Sequence, residues 1–163
     1  MDIAVAVGST ADLDAVEPLW RAMQAHHGEL TGGDFPMREP DHSWQLRRAE
    51  YLRWLDSGTA RLLLARASGS ADVLGYALIR WHPAGPTWDF GDELGELESL
   101  AVAPGARGQG VGGALIEAGR DELAARGIDY WSVAVVETNP AVELYERAGF
   151  RRNYRMMFGR IEP

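Results

Sequence analysis

Apolar residues along the chain change their spacing repeatedly, from every second position to every third or fourth. A spacing of two is typical of strands, and a spacing of three to four is typical of amphipathic helices. The pattern predicts strands at 3–7, 61–67 and 73–81, a strand carrying Glu96 and Glu98, and further strands at 130–136 and within 150–160. It predicts helices from Thr10 or Asp12 to Ala25, from about 41 to near Gly58, at 110–126 and at 140–148. The resulting order, βααβββαβαβ, indicates a mixed α/β fold in one domain that spans residues 1–163.

Composition narrows the classes of protein that such a fold could represent. The 163 residues are 46% hydrophobic and 25% charged, which is typical of a soluble globular protein. A formal net charge of −8 argues against non-specific binding of nucleic acid, which requires a basic surface. No apolar run reaches the ~20 residues of a membrane helix. The first residues also lack a basic leader, so we expect a cytoplasmic protein without a membrane partner.

The supply of reactive side chains restricts the chemistry further. The sequence has no cysteine, so it can form neither a zinc–thiolate site nor a cysteinyl acyl-enzyme. Its four histidines, at positions 26, 27, 42 and 82, lack the spacing of metal ligands such as H-E-x-x-H. We therefore expect no metal site, and any acyl transfer would pass directly between two bound substrates.

The most informative segment is the glycine-rich loop at residues 104–113, PGARGQGVGG, between a predicted strand and a predicted helix. Glycines permit positive φ and close approach of the backbone, so successive N–H groups can converge on one anion. The N-terminus of the following helix adds about half a positive charge. The segment predicts a pyrophosphate site built mainly from the backbone of Arg107, Gly108, Gln109, Gly110, Val111, Gly112 and Gly113. Side-chain identity is expected to matter least at Gln109 and Val111.

The same glycines allow two other interpretations. Gly108, Gly110 and Gly113 fit the dinucleotide fingerprint G-x-G-x-x-G, for which Glu137 could be the ribose-binding acid. Such a fingerprint begins almost directly after its strand, whereas several residues separate this one from the predicted strand. The residues that follow Gly113 are too few for the remaining strands of a dinucleotide domain. A purely structural glycine-rich turn is the second interpretation, and it leaves Arg107 unexplained.

Two blocks of sequence resemble the GNAT acetyltransferase superfamily. Arg107, Gly110 and Gly112 form Arg-x-x-Gly-x-Gly, and residues 139–150, NPAVELYERAGF, are similar to the family's Asn-x-x-Ala-x-x-x-Tyr-x-x-x-Gly-Phe segment. The resemblance implies acetyl-CoA as co-substrate. It also implies a central, mostly antiparallel sheet whose fourth and fifth strands splay around that molecule. The pantetheine arm would then hydrogen-bond to the backbone of the strand before the loop, at Leu100, Ala101 and Val102.

The second block assigns roles to two side chains through the same resemblance. Asn139, which precedes Pro140 as a predicted helix cap, would lie near the CoA arm. Tyr145 matches the family's tyrosine, which contacts the co-substrate and protonates the leaving thiolate. A tyrosine on a helical stripe with Ala141 and Leu144 can equally be a core residue whose hydroxyl has found a partner.

Glu96 and Glu98 are the candidates for a general base. They share strand parity with Leu100 and Val102, so all four side chains are expected on one face of the sheet. Desolvation and mutual repulsion raise the pKa of at least one such carboxyl, which suits a base for an ammonium. Several members of the family that this sequence resembles use a glutamate on this strand as the general base. Glu98 is the preferred general base because it lies nearer the glycine-rich loop. The alternative role for both glutamates is to attract a cationic substrate without accepting a proton.

These features predict an N-acyltransferase that moves an acetyl group from acetyl-CoA to a primary amine of a small molecule or a peptide. In the resembling fold the first two helices wall the acceptor cleft, where this sequence offers aromatic residues such as Trp20, Phe35 and Trp44. The alternative is an acyl-CoA-binding sensor or interaction module without turnover. A homodimer is one expected state of assembly.

Overall fold

The computed structural model describes residues 2–161, which form one sheet with helices on both faces. The strands are β1 (Ile3–Val7), β2 (Ala60–Ala67), β3 (Val73–Pro83), β4 (Glu93–Val102) and β5 (Trp131–Val133). The α-helices are α1 (Leu13–Leu30), α2 (Pro40–Asp56), α3 (Val111–Ala124) and α4 (Ala141–Arg147). The strand order is β1-β2-β3-β4-β5, antiparallel except for the parallel pair of β4 and β5. The mixed α/β class that the pattern predicts is confirmed.

The central strands separate two apolar cores. Along β2, Leu62 and Leu64 pack with residues of α1 and α2, whereas Leu63 and Ala65 pack with residues of α3. Because successive side chains of a strand point to opposite faces, both faces of this strand are covered and the run reads as continuously apolar. The sheet is therefore the middle layer, with α1 and α2 on one face and α3 on the other.

Two glycines allow α3 to lie close to the sheet. A Cβ at Gly119 of α3 would lie 2.7 Å from Cδ1 of Ile79 on β3. A Cβ at Gly95 of β4 would lie 2.6 Å from Cδ1 of Leu123 on α3. Both distances are shorter than side chains tolerate in a close-packed interior. This close contact fixes the axis of α3 against β4.

Helix α1 is longer than the sequence predicts, since it ends at Leu30 and not at Ala25. The reason lies in Thr31, whose hydroxyl can donate to the carbonyls of His27 (3.2 Å) and Gly28 (3.1 Å). These contacts satisfy acceptors that the last turn of a helix otherwise leaves open. The glycine at position 28 is therefore accommodated inside the helix and does not end it.

The strand predicted within 150–160 is wrong, because residues 151–161 form no regular secondary structure. The large apolar side chains of this segment are exposed, namely those of Tyr154, Met156, Met157, Phe158 and Ile161. A strand here would therefore have no buried face to fix its pairing register. Side-chain contacts take the place of backbone pairing. The indole N–H of Trp88 donates to the Tyr154 hydroxyl at 2.8 Å, and Arg155 pairs with Glu137 at 3.0 Å. The neighbouring β5 is also shorter than predicted.

Residues 2–161 contain neither a membrane-spanning helix nor a cluster of metal ligands. No helix there combines the length and the apolar character that crossing a bilayer requires. In the same residues, no three histidine, cysteine, aspartate or glutamate side chains converge as ligands for a metal ion.

Candidate active site

Strands β4 and β5 diverge halfway along β4. Their parallel pairing joins Gly95–Leu97 to Trp131–Val133 and then stops. β4 continues to Val102 while its other edge stays paired with β3. In the part of the chain that the structure describes, residues 98–102 have no strand on the edge that faces away from β3. Backbone groups on such an edge can bind an extended ligand. The backbone groups predicted to bind the pantetheine arm, those of Leu100, Ala101 and Val102, belong to this stretch.

The glycine-rich loop connects the end of β4 to the start of α3. A 3-10 turn over Pro104–Ala106 precedes Arg107, and α3 begins directly after Gly110. Gly108 and Gly110 have φ of +74° and +88°, a conformation that favours glycine. Because Gly110 has no side chain to cap the helix, N–H groups of the first turn are open to a ligand. Together with the helix dipole they provide the geometry predicted for an anion site.

The loop residues differ in what they contribute. A Cβ at Gly108 or Gly113 would meet no described atom within 4 Å, so both positions border open space. A Cβ at Gly112 would lie 3.0 Å from Cδ2 of Leu144, so this glycine allows α3 and α4 to pack closely. Val111 is 1% exposed and its side chain belongs to the core. The expectation that side-chain identity matters little at Val111 is therefore wrong, and only its backbone can face a ligand.

Two polar side chains of the loop bind back to the main chain. Nε of Arg107 donates to the Val102 carbonyl at 3.3 Å and so ties the loop to the end of β4. Nε2 of Gln109 donates to the Gly105 carbonyl at 2.8 Å. Both contacts help to fix the loop before any ligand binds, which lowers the entropy cost of binding.

A β-bulge at Glu98 sets the direction of the side chains along β4. Leu78 and Ile79 are consecutive on β3, yet they pair with Ser99 and Leu97 respectively. Glu98 is therefore an extra residue inserted between two neighbouring pairs. Such insertions are frequent next to active sites, where they redirect a side chain.

The bulge separates the glutamates from the apolar residues that follow them. Glu98 contacts α2, and Glu96 pairs with an arginine that stacks on α2. Both carboxylates therefore lie on one face of the sheet, as predicted, and it is the face that α2 covers. Leu100 and Val102 instead pack with the core under α3. The prediction that these residues share the face of the glutamates is wrong, because the inserted residue reverses the alternation.

Glu98 is held in a nearly buried position beneath α2. Its side chain is 10% exposed, and Oε1 accepts a charged hydrogen bond from the Arg47 guanidinium. Its second oxygen, Oε2, is buried and has no hydrogen-bond partner within residues 2–161. Burial raises the pKa of Glu98 above its ordinary value, and the positive charge of Arg47 opposes that rise. A buried carboxylate oxygen with free acceptor capacity matches the requirements of a general base.

Three buried hydroxyl groups lie next to this carboxylate. The Tyr51 hydroxyl of α2 lies 2.5 Å from Oγ of Ser99 and 3.3 Å from the Tyr76 hydroxyl of β3. Burial raises the pKa of both tyrosines well above the ordinary value, so both remain protonated at neutral pH. The cluster joins α2 to β3 and β4 directly beneath the glutamate.

Glu96 has a more open environment. Its Oε2 lies 3.4 Å from Nε of Arg80 and 3.9 Å from Nε2 of His82, and the side chain is 28% exposed. The Arg80 guanidinium in turn lies 4.3 Å from the ring centroid of Trp54 on α2. The structure thus distinguishes two carboxylates that the sequence presents as equivalent, and within residues 2–161 Glu98 is the one whose unpartnered oxygen is buried.

The predicted residues of α4 lie on the α3 side of the sheet. Oδ1 of Asn139 accepts the N–H of Ala141 at 2.9 Å, which caps the start of α4. Tyr145 is 9% exposed and packs edge-on against Phe150, with ring centroids 5.9 Å apart. Burial raises the pKa of Tyr145, so its hydroxyl keeps a proton at neutral pH. The roles of these residues toward a ligand remain predictions.

The aromatic residues expected to wall an acceptor cleft separate into two groups. Trp20 and Trp44 are buried, with ring centroids 5.4 Å apart, so they belong to the core between α1 and α2. Phe35, in the loop between these helices, is exposed and packs against Phe158 at 5.3 Å. Of these three residues, only the exposed Phe35 is available to a ligand.

Sequence analysis missed Arg47, the side chain that contacts Glu98. One signal could have found it, because Trp44, Arg47 and Tyr51 are three and four positions apart and so share a helix face. An arginine between two residues of an apolar stripe requires a partner, since a buried charge is costly when unpaired. The partner lies 51 positions further along the chain, and no local pattern points to it.

The fold and site together define an α/β protein in which a glycine-rich loop and an uncapped helix N-terminus follow a strand that has one open edge. The model of the acetyltransferase (GNAT) family matches residues 25–150 of this chain. The chain therefore belongs to the GNAT acetyltransferase family, and the resemblance stated from the two sequence blocks is confirmed.

Individual relatives agree with this family. A mycothiol acetyltransferase of Stackebrandtia nassauensis is 40% identical over 128 residues, which cover 76% of this chain and 40% of that protein. The chain spans between about a third and two fifths of the length of three such curated relatives. A GCN5-related N-acetyltransferase from Ralstonia eutropha JMP134 has the same fold, with a TM-score of 0.78 at 22% identity, covering 96% of this chain and 97% of that one. A predicted acetyltransferase from Clostridium acetobutylicum, solved with acetyl-CoA, has a TM-score of 0.74 at 14% identity and covers 97% and 96%.

Proposed function

We propose that the chain transfers an acetyl group from acetyl-CoA directly to the nitrogen of a primary amine. Membership of the GNAT acetyltransferase family supports acetyl-CoA as the donor. The observation that carries the proposal is the buried Oε2 of Glu98, which has no partner among the described residues and lies where β4 leaves β5. The absence of cysteine from the sequence favours direct transfer over a cysteinyl intermediate.

The donor would bind along two backbone surfaces. Its pyrophosphate would lie on the glycine-rich loop, within reach of the backbone of residues 107–113. Its pantetheine arm would extend along the open edge of β4 at Leu100, Ala101 and Val102, and Asn139 lies at the start of the helix that borders it. Because these groups are backbone N–H and C=O, they recognise the donor by its shape and charge.

Three groups of the chain would then handle the protons and the charge. Oε2 of Glu98 accepts a proton from the acceptor ammonium, and the freed nitrogen forms a bond to the thioester carbonyl carbon. Backbone N–H groups of β4 stabilise the negative oxygen that results. The carbon–sulfur bond breaks as the Tyr145 hydroxyl donates its proton to the leaving sulfur. The second proton lost by the nitrogen restores Tyr145, and the proton on Glu98 passes to solvent.

Glu96 has a supporting role in this scheme. Its Oε2 already pairs with Arg80 and its side chain is 28% exposed, so it contributes negative potential on the α2 face without the burial that distinguishes Glu98. The acceptor is a small molecule or a peptide that presents an amine. The names of the curated relatives make mycothiol-related amines one class to test.

The test is a thiol-release assay with acetyl-CoA against a panel of amines, with products identified by mass. The panel holds small amines, amino acids, polyamines, aminoglycosides, peptides and mycothiol-related amines. We expect an acetylated product from at least one class, and its loss in Glu98→Gln but not in the matched variant Glu96→Gln. Tight binding of acetyl-CoA with no product from any acceptor would instead identify an acyl-CoA-binding module without turnover.

A further inference from the structure

One guanidinium nitrogen of α2 is shared between two carboxylates. The Nη1 atom of Arg47 contacts Oε1 of Glu98 and also lies 3.2 Å from Oε2 of Glu50, one turn further along the same helix. The Arg47 side chain is 28% exposed and that of Glu50 is 41% exposed, whereas that of Glu98 is 10% exposed. The guanidinium carbon lies 5.6 Å from the Tyr51 ring centroid, which helps to hold the group over the buried glutamate.

We propose that Arg47 is a positioning residue that divides its charge between Glu98 and Glu50, keeps Glu98 anionic, and moves to Glu50 when the acceptor ammonium binds Glu98. This inference rests on the proposed function only in its second half, since the state of Glu98 before any substrate binds can be measured separately.

The charges around Glu98 explain why an arginine is needed. The groups that face the carboxylate come from three elements: Arg47, Glu50 and Tyr51 from α2, Tyr76 from β3, and Glu96 and Ser99 from β4. Arg47 is the single cation of this set. Burial and the charge of Glu96 raise the pKa of Glu98, whereas Arg47 and the hydroxyl groups of Ser99 and Tyr51 lower it. Without the guanidinium the pKa would rise further, because burial of an unpaired charge is costly. A protonated Glu98 could not accept a proton from the substrate.

The sharing also defines the class of acceptor. Glu98, Glu50 and Arg47 carry a net charge of −1, and the exposed Arg53 lies 4.0 Å from the other oxygen of Glu50. Within residues 2–161, Oε2 of Glu98 is buried without a partner. One alkylammonium would neutralise the cluster. When it binds Glu98, Glu50 can take the guanidinium, so that no buried charge is left alone, which is the state that costs most. An acceptor with a single positive amine at the reacting position fits this arrangement.

The test compares two substitutions with opposite expected effects. Arg47→Met removes the opposing positive charge, so the carboxyl of Glu98 should titrate about 1–3 pH units higher than in the wild type. Glu50→Gln leaves the guanidinium to Glu98 alone, so the same carboxyl should titrate lower. The primary measurement is the ¹³C NMR titration of the Glu98 side-chain carboxyl, assigned by its loss in Glu98→Gln. The second is the acid limb of the pH profile of kcat/KM, which should move with it.

Three controls separate positioning from a purely structural role. Arg48→Met makes the same charge change on the same helix at a side chain that contacts Asp14 and neither Glu98 nor Glu50, and it should leave the Glu98 titration unchanged. Arg47→Lys keeps the positive charge and should restore most of the wild-type titration midpoint, whether or not Arg47→Met folds well. Melting curves across the pH range identify any shift that comes from unfolding.

Two results would decide against the inference. Equal Glu98 titration midpoints in the wild type, Arg47→Met and Arg47→Lys would show that the guanidinium does not set the charge of the carboxylate. Shifts of the same sign in Arg47→Met and Glu50→Gln would exclude the division of one charge between two glutamates. The expected NMR shifts in a protein that acetylates no amine would support the role of Arg47 and count against the proposed function.

Discussion

The proposed site has a donor half and an acceptor half, which are built from different parts of the chain. The donor half consists of backbone groups from one continuous stretch, the end of β4 and the glycine-rich loop. The acceptor half consists of side chains that meet from β4, α2 and β3, with Glu98 held by Arg47 and bordered by the hydroxyl cluster of Tyr51. A backbone site needs particular glycines at particular spacings, whereas a side-chain site needs the whole fold. The first therefore tolerates many side-chain changes, and the second tolerates few.

Gly110→Asp should have the largest effect, because the proposed donor half depends on the absence of a side chain at this position. Gly110→Asp places a side chain and a negative charge at a position with φ of +88°, where the phosphate must approach. We expect a loss of acetyl-CoA affinity of about 100-fold or more, or about 2.8 kcal/mol. Calorimetry and the ligand-induced rise in melting temperature measure it. Gly85→Asp, with the same charge change in open space, is the control, and equal affinity in the two variants would remove the loop from the site.

Glu98→Gln tests the acceptor half at the atom that carries the proposal. The amide keeps the shape of the side chain and cannot accept the proton, so we expect kcat to fall about 10³-fold, within the usual range for a general base. The matched variant Glu96→Gln breaks a partly exposed ion pair and should cost less than about fivefold. Similar losses in both variants would mean that the two carboxylates act only through their charge.

Tyr145→Phe tests whether the acid of the scheme lies on α4. The ring and its contact with Phe150 are retained, so the melting temperature should change little. A thiolate leaves fairly well without a proton, so we expect a fall in kcat of about 100-fold, the low end for general acid catalysis. Stability and kcat are measured on one preparation. Full kcat together with a large loss of stability would make Tyr145 a core residue only.

The smallest effect concerns stability at Glu98. Because burial raises the pKa of this carboxyl above 4.5, the folded state holds its proton to higher pH than the unfolded chain does. The stability that this proton contributes is present below pH 4.5 and is lost as pH rises through the folded pKa. Glu98→Gln removes the buried charge, so its free energy of unfolding at pH 7 should exceed that of the wild type by about 1 kcal/mol or less. This difference in unfolding free energy should vanish below pH 4.5. Denaturant titrations at pH 7 and below pH 4.5 measure it, and an equal difference at the two pH values would contradict the prediction.

The sequence predicted those parts of the molecule that short-range rules control. The glycine-rich loop, the helix after it and the cap at Asn139 follow from glycine spacing and from the Asn-Pro step, so their positions were confirmed. The strand within 150–160 was predicted from local pattern alone, and it is absent because burial of one face decides pairing.

The acceptor half shows the limit of the same rules more clearly. Parity counted along β4 places Leu100 with Glu98, but the inserted residue at the bulge cannot be read from a strand of alternating residues. The contact between Arg47 and Glu98 spans 51 positions and depends on how α2 crosses the sheet. Both features are properties of tertiary structure, and both determine which carboxylate is free to react.

The bulge at Glu98 has a consequence for how the protein can change. With Glu98 left out, the remaining residues of β4 alternate regularly: Leu97 and Leu100 face α3, and Ser99 and Ala101 face α2. A one-residue deletion there would thus give a well-paired strand with the proposed base removed. Deletion of this one residue would separate the fold from the proposed chemistry. A descendant protein with that deletion would keep the proposed donor-binding surfaces and lose turnover in a single step.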